Sequence, residues 1–309
     1  MLYTVTLNPA LDRTLYVESL NPGQSTRIRR EARYSGGKGI DVSRALLEMG
    51  TPNIALGFVG GFGGKEFEGR LLLDGVACSF TRIAGETRTN IIIQDESNGA
   101  ETALLARGPE VQPSELMDFI TTIEKLPDME FLIVSGSLPL GLTPEVYRRV
   151  IDIGNNKGAR TVLDTAGEAL RQGLNARPTL IKPNRLELAE LAGRELADVR
   201  AIAEYCRSLS DRVEIILVSL GADGMVMTTA RGVVHARPPA VKVKGTVGAG
   251  DCAVAGFVHG LARRETPTDA LRRSVAAGTA ATLNPGTGLC RCSDIDAIMP
   301  QVTIEEIKL

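Results

Sequence analysis

Thr246-Val247-Gly248-Ala249-Gly250-Asp251 follows an apolar, strand-like run at Val241–Val243 and precedes Cys252–Leu261, an apolar segment with the character of a buried helix. Two glycines allow a sharp backbone turn with no Cβ in the way. A helix opening just after them leaves its first N–H groups without intrahelical partners. Those groups, with the positive end of the helix dipole, form an anion seat. Asp251 falls in the first helical turn, at the edge of that seat. A carboxylate there suits phosphoryl transfer: the N–H groups hold the migrating charge and the acid takes the attacking hydroxyl's proton. The dipole is expected to keep Asp251 ionised and a weak base, which a loose transition state governed by positioning tolerates. Taken alone, a G-x-G-D stretch is more often a helix cap with a well-placed acid.

Upstream of this turn the chain alternates strands and helices. A helix is expected over Pro113–Lys125 and a strand over Phe131–Val134, ending in Ser135-Gly136-Ser137. A helix at Pro144–Asn155 leads to strand Arg160–Leu163, which ends in Asp164. Strand Thr179–Ile181 ends in Lys182-Pro183-Asn184, and the helix beginning there carries Glu187 three residues after Asn184, on one face. Helix Val199–Leu209, strand Glu214–Val218 ending in Ser219-Leu220-Gly221, and a hairpin of Met225–Met227 with Val233–His235 follow. Such alternation implies a parallel sheet with helices on both faces. Asp12, Ser137, Asp164, Lys182, Asn184 and Ser219 gather at the carboxyl ends of strands, the edge at which open α/β sheets bind ligands.

The first third reads differently. Strand Tyr3–Leu7 is broken by Asn8-Pro9, and Asp12 follows. Arg27–Tyr34 is basic and strand-like. Ser35-Gly36-Gly37-Lys38-Gly39 precedes a helix reaching about Met49, a second anion seat that lacks the Walker spacing. Strand Asn53–Val59 leads to a helix near Glu66–Leu73. Thr81–Ile93 and Glu101–Leu105 form a hairpin pattern around Ser97-Asn98-Gly99. The expected fold is α/β: one domain over residues 1–309 with a mostly parallel central sheet. A small β lid is expected from segments near 12–18, 27–35 and 86–106.

Composition sets bounds. The 309 residues are 43% hydrophobic and 23% charged, with a formal net charge of -2. That balance speaks against nucleic acid or an anionic membrane as partner. No apolar run approaches the roughly 18 residues of a membrane span, and no secretory signal opens the sequence. Five cysteines, an odd number, suggest reduced thiols and a cytoplasmic protein. Cys290 and Cys292 lack the further Cys pair or His of a metal set.

Six motifs stand in register: T-L-N-P-A-L-D at Thr6–Asp12, G-G-K-G at Gly36–Gly39, S-G-S-L-P at Ser135–Pro139, K-P-N-R-L-E at Lys182–Glu187, V-S-L-G at Val218–Gly221 and T-V-G-A-G-D at Thr246–Asp251. The set resembles the ribokinase-like superfamily, a three-layer α/β/α fold. Within it, the chain is similar to the phosphofructokinase B branch of sugar-phosphate kinases. The resemblance implies Asp251 as catalytic base and the N–H groups of Gly248, Ala249 and Gly250 as anion hole. It places Asp12, Gly37 and Asp41 on sugar hydroxyls, Lys38, Arg27 and Arg88 near the substrate phosphate, and Ser137 toward the sugar. Lys182, Asn184, Ser219 and Gly221 fall where the nucleotide is held, with Asn184 and Glu187 holding Mg²⁺ through water. Asn284 and Gly286 fall around the adenine, near a position where some members bind a monovalent cation such as K⁺.

The implied reaction is ATP-dependent phosphorylation of a ketohexose phosphate. Arg88-Thr89-Asn90-Ile91 resembles the 1-phosphofructokinase subgroup, which converts fructose 1-phosphate to fructose 1,6-bisphosphate. Tagatose-6-phosphate kinase and 6-phosphofructokinase are the alternatives. More distant are a kinase of an unphosphorylated sugar or nucleoside and a non-catalytic sugar-phosphate sensor. Asp41 departs from the branch's usual Asn, exchanging a donor and acceptor for an acceptor alone. The lid's open strand edges suggest a homodimer.

Overall fold

The structure is a computed structural model that describes residues 1–284 and 288–309. β1 (Leu2–Thr6) is buried at every residue, as a strand covered on both faces must be. It is followed by β2 (Ala10–Val17), β3 (Ile28–Gly36), α1 (Lys38–Glu48), β4 (Asn53–Gly60), α2 (Gly61–Leu73), β5 (Ala77–Ile83), β6 (Arg88–Asp95) and β7 (Ala100–Leu104). The middle of the chain holds α3 (Pro113–Lys125), β8 (Phe131–Ser135), α4 (Glu145–Asn156), β9 (Arg160–Asp164), α5 (Gly167–Leu174), β10 (Leu180–Ile181), α6 (Arg185–Ala192) and α7 (Val199–Ser208). The last third holds β11 (Ile215–Ser219), β12 (Met225–Thr229), β13 (Gly232–Arg237), α8 (Ala249–Ala262), α9 (Pro267–Thr282), α10 (Cys292–Ile298) and β14 (Thr303–Ile307).

The large sheet runs β14-β13-β12-β11-β10-β9-β8-β1-β4-β5. Strands from β5 through β11 pair in parallel, and β12, β13 and β14 extend that edge antiparallel. Alternate side chains enter opposite cores. Tyr3 and Val5 face a core completed by α3, α4, α5, α6 and α7, including Phe119, Tyr147 and Ile202. Leu2, Phe131, Ile133 and Leu217 face a second core with α1, α8, α9 and α10. Helix α8 is buried from Asp251 to Gly260, which accounts for its apolar composition all round.

The chain starts in the middle of this sheet, works outward through β4 and β5, then returns to the other side of β1 as β8. The carboxyl ends of β1 and β8 therefore flank a topological switch point, where a crevice opens. The second sheet, β3-β2-β6-β7, is rooted there: Ala10 pairs with Gly36 on one side and Arg88 on the other, and Asp12 pairs with Asn90.

Several local expectations are corrected. Val241–Val243 is not a strand: it follows Pro238-Pro239, which cannot donate to a ladder, and Val243 is exposed. The alternating segment Thr81–Ile93, expected as one hairpin arm, is split between the two sheets, its first part closing β5 and its last part forming β6. Gly85 in the break abuts Pro109, and a Cβ there would come within 2.6 Å of the Pro109 ring. The first lid strand, expected near residue 12, starts earlier, so Asp12 is the third residue of β2. Helices α5 and α10 and strand β14 had no counterpart in the sequence reading. No described helix is long and apolar enough to cross a membrane, and the five cysteines are free.

Candidate active site

Helix α8 opens without a side-chain cap. Its N-cap, Gly248, sits at φ 74°, a left-handed conformation that glycine adopts at no steric cost. The first intrahelical bond runs from Cys252 N–H to the Gly248 carbonyl at 2.8 Å. Among the described residues, the amides of Gly248, Gly250 and Asp251 have no partner, whereas Ala249 N–H turns onto the Thr246 carbonyl at 3.3 Å. The open donors are thus not the three the sequence suggested: Asp251 contributes one and Ala249 turns its own inward.

Asp251 is buried. Burial, then the nearby Asp164 carboxylate, push its carboxyl up to about 7 against the pull of Lys38 and Lys182. This overturns the expectation of a dipole-stabilised weak base. Desolvation outweighs the helix terminus, and the group is poised near neutral pH, where proton acceptance is most useful.

Asp164, at the end of β9, organises the cations. Lys182 Nζ stands 3.4 Å and Lys38 Nζ 3.5 Å from its Oδ1, while its buried Oδ2 has no partner. Lys182 is itself buried, and a Cβ added at Gly250 would lie 3.5 Å from its ammonium, so this charge sits against the open turn. Burial lowers the Lys38 pKa, but Asp164, Asp251 and Glu187 together outweigh it and leave the ammonium more tightly protonated than usual. The sequence placed Asp164 at the ligand edge without a role; only the structure shows two lysines converging on it.

At the switch point, Asp12 Oδ1 accepts from Asn90 Nδ2 at 2.7 Å. Burial raises its pKa, opposed by Asn90 and Arg88. A Cβ at Gly36 would fall 1.9 Å from Asp12 Oδ2, so that glycine is required for the carboxylate to lie where it does. Gly37 caps α1 at φ 126° with no side-chain cap. Asp41, in the first turn of α1, lies 3.6 Å from Arg44. Burial, then Asp251, push its pKa well above the usual range against Arg44, with Asp12 adding to the rise. Ser137 is exposed and its Oγ accepts from Asn8 Nδ2 at 3.3 Å. Arg88 donates to the Ala106 carbonyl at 2.8 Å and the Asn8 carbonyl at 2.9 Å, leaving its buried Nε without a partner.

Arg27 is not brought to this crevice. It precedes β3 at the end where Ile28 pairs with Val17, seven pairs from Ala10 and Gly36, roughly 20 Å away at the rise of a strand. The neighbouring Arg29 and Arg33 are in surface ion pairs, and Arg30 lies 3.5 Å over the Tyr16 ring.

On the other side of Asp251 lies a cleft of about 760 Å³. Asn184, Ser219, Gly221, Gly250, Ala253 and Thr282 are among its lining. Asn184 and Glu187 form a capping box on α6. Asn184 Oδ1 accepts Glu187 N–H at 2.9 Å, and Glu187 Oε2 accepts Asn184 N–H at 2.8 Å. The Asn184 oxygen keeps one lone pair open, and Glu187 Oε1 has no partner among the described residues. No group of three His, Cys, Asp or Glu converges among the described residues, so no direct metal cage exists there. Asn284 donates to the Leu289 and Ala280 carbonyls at 2.9 and 3.4 Å and is not part of the cleft lining; Gly286 lies outside the described residues.

The pfkB family carbohydrate kinase signature matches residues 6–294. A 1-phosphofructokinase of Bacillus subtilis is 32% identical over 99% of this chain and 100% of its own length. A tagatose-6-phosphate kinase of Staphylococcus epidermidis is likewise 32% identical over 99% of this chain and 100% of its own length. The crystal structure of phosphofructokinase-2 from Escherichia coli in complex with potassium superposes with a TM-score of 0.93, at 30% identity, over 97% of this chain and 98% of that one. The architecture, two helix layers about a mostly parallel sheet, is the ribokinase-like fold. The chain belongs to the pfkB family of carbohydrate kinases.

Proposed function

We propose that the protein is an ATP-dependent sugar-phosphate kinase whose substrate is fructose 1-phosphate. The observation that carries the reading is the position of Asp251. It is a buried carboxyl poised near neutrality beside an uncapped helix terminus, between a nucleotide-sized cleft and a crevice of polar groups. The cleft takes the base and ribose. Lys182 and the open amides of Gly248, Gly250 and Asp251 take the terminal phosphates. Asp12 and Asp41 hold sugar hydroxyls, and Arg88 offers the remaining N–H groups of its terminal nitrogens to the substrate phosphate.

In the reaction the acceptor hydroxyl gives its proton to Asp251. Its oxygen forms the new bond to the γ-phosphorus, the bond to the bridging oxygen breaks, and ADP leaves with that electron pair. Lys38 and Lys182 counter the charge built up between two phosphorylated substrates. Glu187, whose Oε1 has no partner among the described residues, would hold a hydrated Mg²⁺ through its waters. Once bound, that ion neutralises charge on the transferring phosphates. A monovalent cation beside the nucleotide belongs to the same reading, though its expected position includes Gly286. The exposed strands β3 and β7 edge the small sheet, and we read that sheet as a lid through which two copies pair.

Because the tagatose-6-phosphate kinase is as similar as the 1-phosphofructokinase, tagatose 6-phosphate is the second substrate to test. ADP release measured with fructose 1-phosphate, fructose 6-phosphate, tagatose 6-phosphate and free fructose tests the proposal. Highest kcat/KM with fructose 1-phosphate supports it; turnover of free fructose above all three phosphates refutes it.

A further inference from the structure

We propose that Arg107 grips the phosphoryl group of the sugar-phosphate substrate, from a loop that Asn8, Arg88 and Asn90 hold over Ser137. The inference rests on the sugar-phosphate reading above. The backbone around Arg107 is fixed by side chains of the crevice. Asn90, whose amide nitrogen binds Asp12, accepts Ala106 N–H at 3.1 Å through its Oδ1. Arg88 binds the Ala106 carbonyl. Asn8 Nδ2 donates to the Arg107 carbonyl at 3.2 Å while also reaching Ser137 Oγ and the Leu138 carbonyl.

The Arg107 carbonyl and the Ser137 hydroxyl thus share one nitrogen, and an extended arginine side chain outreaches the gap between them. Gly108 makes the turn. It sits at φ 96°, and a Cβ there would come within 2.3 Å of Asn8 Oδ1. Beyond it the loop is clamped to the Ser137 segment, with Leu140 N–H on the Pro109 carbonyl at 3.1 Å and Val111 N–H on the Leu140 carbonyl at 2.9 Å.

The Arg107 guanidinium is exposed and makes no ion pair or hydrogen bond among the described residues. Arg88 has committed one N–H of each terminal nitrogen to a carbonyl, its Nε is buried, and it brings a single positive charge to this edge. A dianionic phosphoryl group at this edge carries more charge than the one guanidinium of Arg88 balances. Arg107 supplies a second, since the network that positions Asp12 also positions its backbone.

The test compares wild type, Arg107→Ala and Arg107→Lys by ADP release, using the best of the three ketohexose phosphates. Arg107→Ala is expected to raise KM for the sugar phosphate roughly tenfold or more, the loss typical of a charge-assisted hydrogen-bonded contact. KM for ATP should stay within about twofold, and Arg107→Lys should recover part of the loss. The rise of sugar-phosphate KM with ionic strength should also be shallower in Arg107→Ala, a change that a purely structural role would not produce. Unchanged KM, equal effects on both substrates, or an unaltered salt dependence would overturn the assignment while leaving the kinase reading intact. A wild-type protein inactive on every sugar phosphate would overturn both.

Discussion

Lys182 and Asp164 form a buried pair beside Asp251, 3.4 Å from Nζ to Oδ1. Their effects on the carboxyl oppose each other: Asp164 raises its pKa and Lys182 lowers it. The proton affinity of Asp251 is therefore set by a balance of charges around a desolvated group. In the free enzyme kcat/KM should rise as pH climbs through about 7, because Asp251 must be ionised to accept a proton. Lys182→Met is expected to move that rise to higher pH and Asp164→Asn to lower pH. Shifts in the same direction would contradict the balance.

The same shift has a consequence for stability. A carboxyl whose folded pKa is raised favours folding below its unfolded pKa and progressively opposes it as pH climbs to the folded value. Asp251→Asn removes that penalty. Thermal unfolding should show the variant more stable than wild type at pH 8 and nearly equal to it at pH 4. A variant less stable at pH 8 would mean that the carboxylate is well paired, not desolvated.

Gly36→Ala places a methyl on the Asp12 carboxylate. Its backbone is not in the left-handed region, so the fold should hold while the acid swings away. We expect KM for the sugar phosphate to rise at least about tenfold, the scale of a lost hydrogen bond to a charged group, with little change in KM for ATP. Wild-type affinity for the sugar would separate Asp12 from hydroxyl binding.

Arg88→Ala should raise KM for the sugar phosphate far more than KM for ATP. It also removes two hydrogen bonds to carbonyls, so a fall of roughly 1–3 kcal/mol in stability is expected from denaturant unfolding. Equal changes in both Michaelis constants would remove Arg88 from the substrate phosphate.

What the sequence made legible follows from periodicity. Strands buried on both faces, with polar residues at their carboxyl ends, announced the parallel sheet and put Asp12, Ser137, Lys182 and Ser219 at its ligand edge. Effects that depend on surroundings stayed hidden. The Asp251 shift comes from desolvation, which a helix-dipole argument does not contain. The Asp164 hub exists because residues 38 and 182 meet across the sheet edge. Val241–Val243 looked like a strand by composition, but the preceding prolines deny it a ladder. Arg27 resembled a phosphate ligand in linear order, yet strand register carries it to the far end of the small sheet. Asn90 matters through its side-chain bonds to Asp12 and Ala106, which no spacing rule reveals.

The most direct test of the central claim joins binding and turnover in one variant. Asp251→Asn should bind ATP with nearly wild-type affinity in titration calorimetry and phosphorylate the sugar phosphate at least about a hundredfold more slowly, as loss of a positioned proton acceptor predicts. Turnover at the wild-type rate, with ATP bound normally, would contradict the role of Asp251 as proton acceptor at the open end of α8.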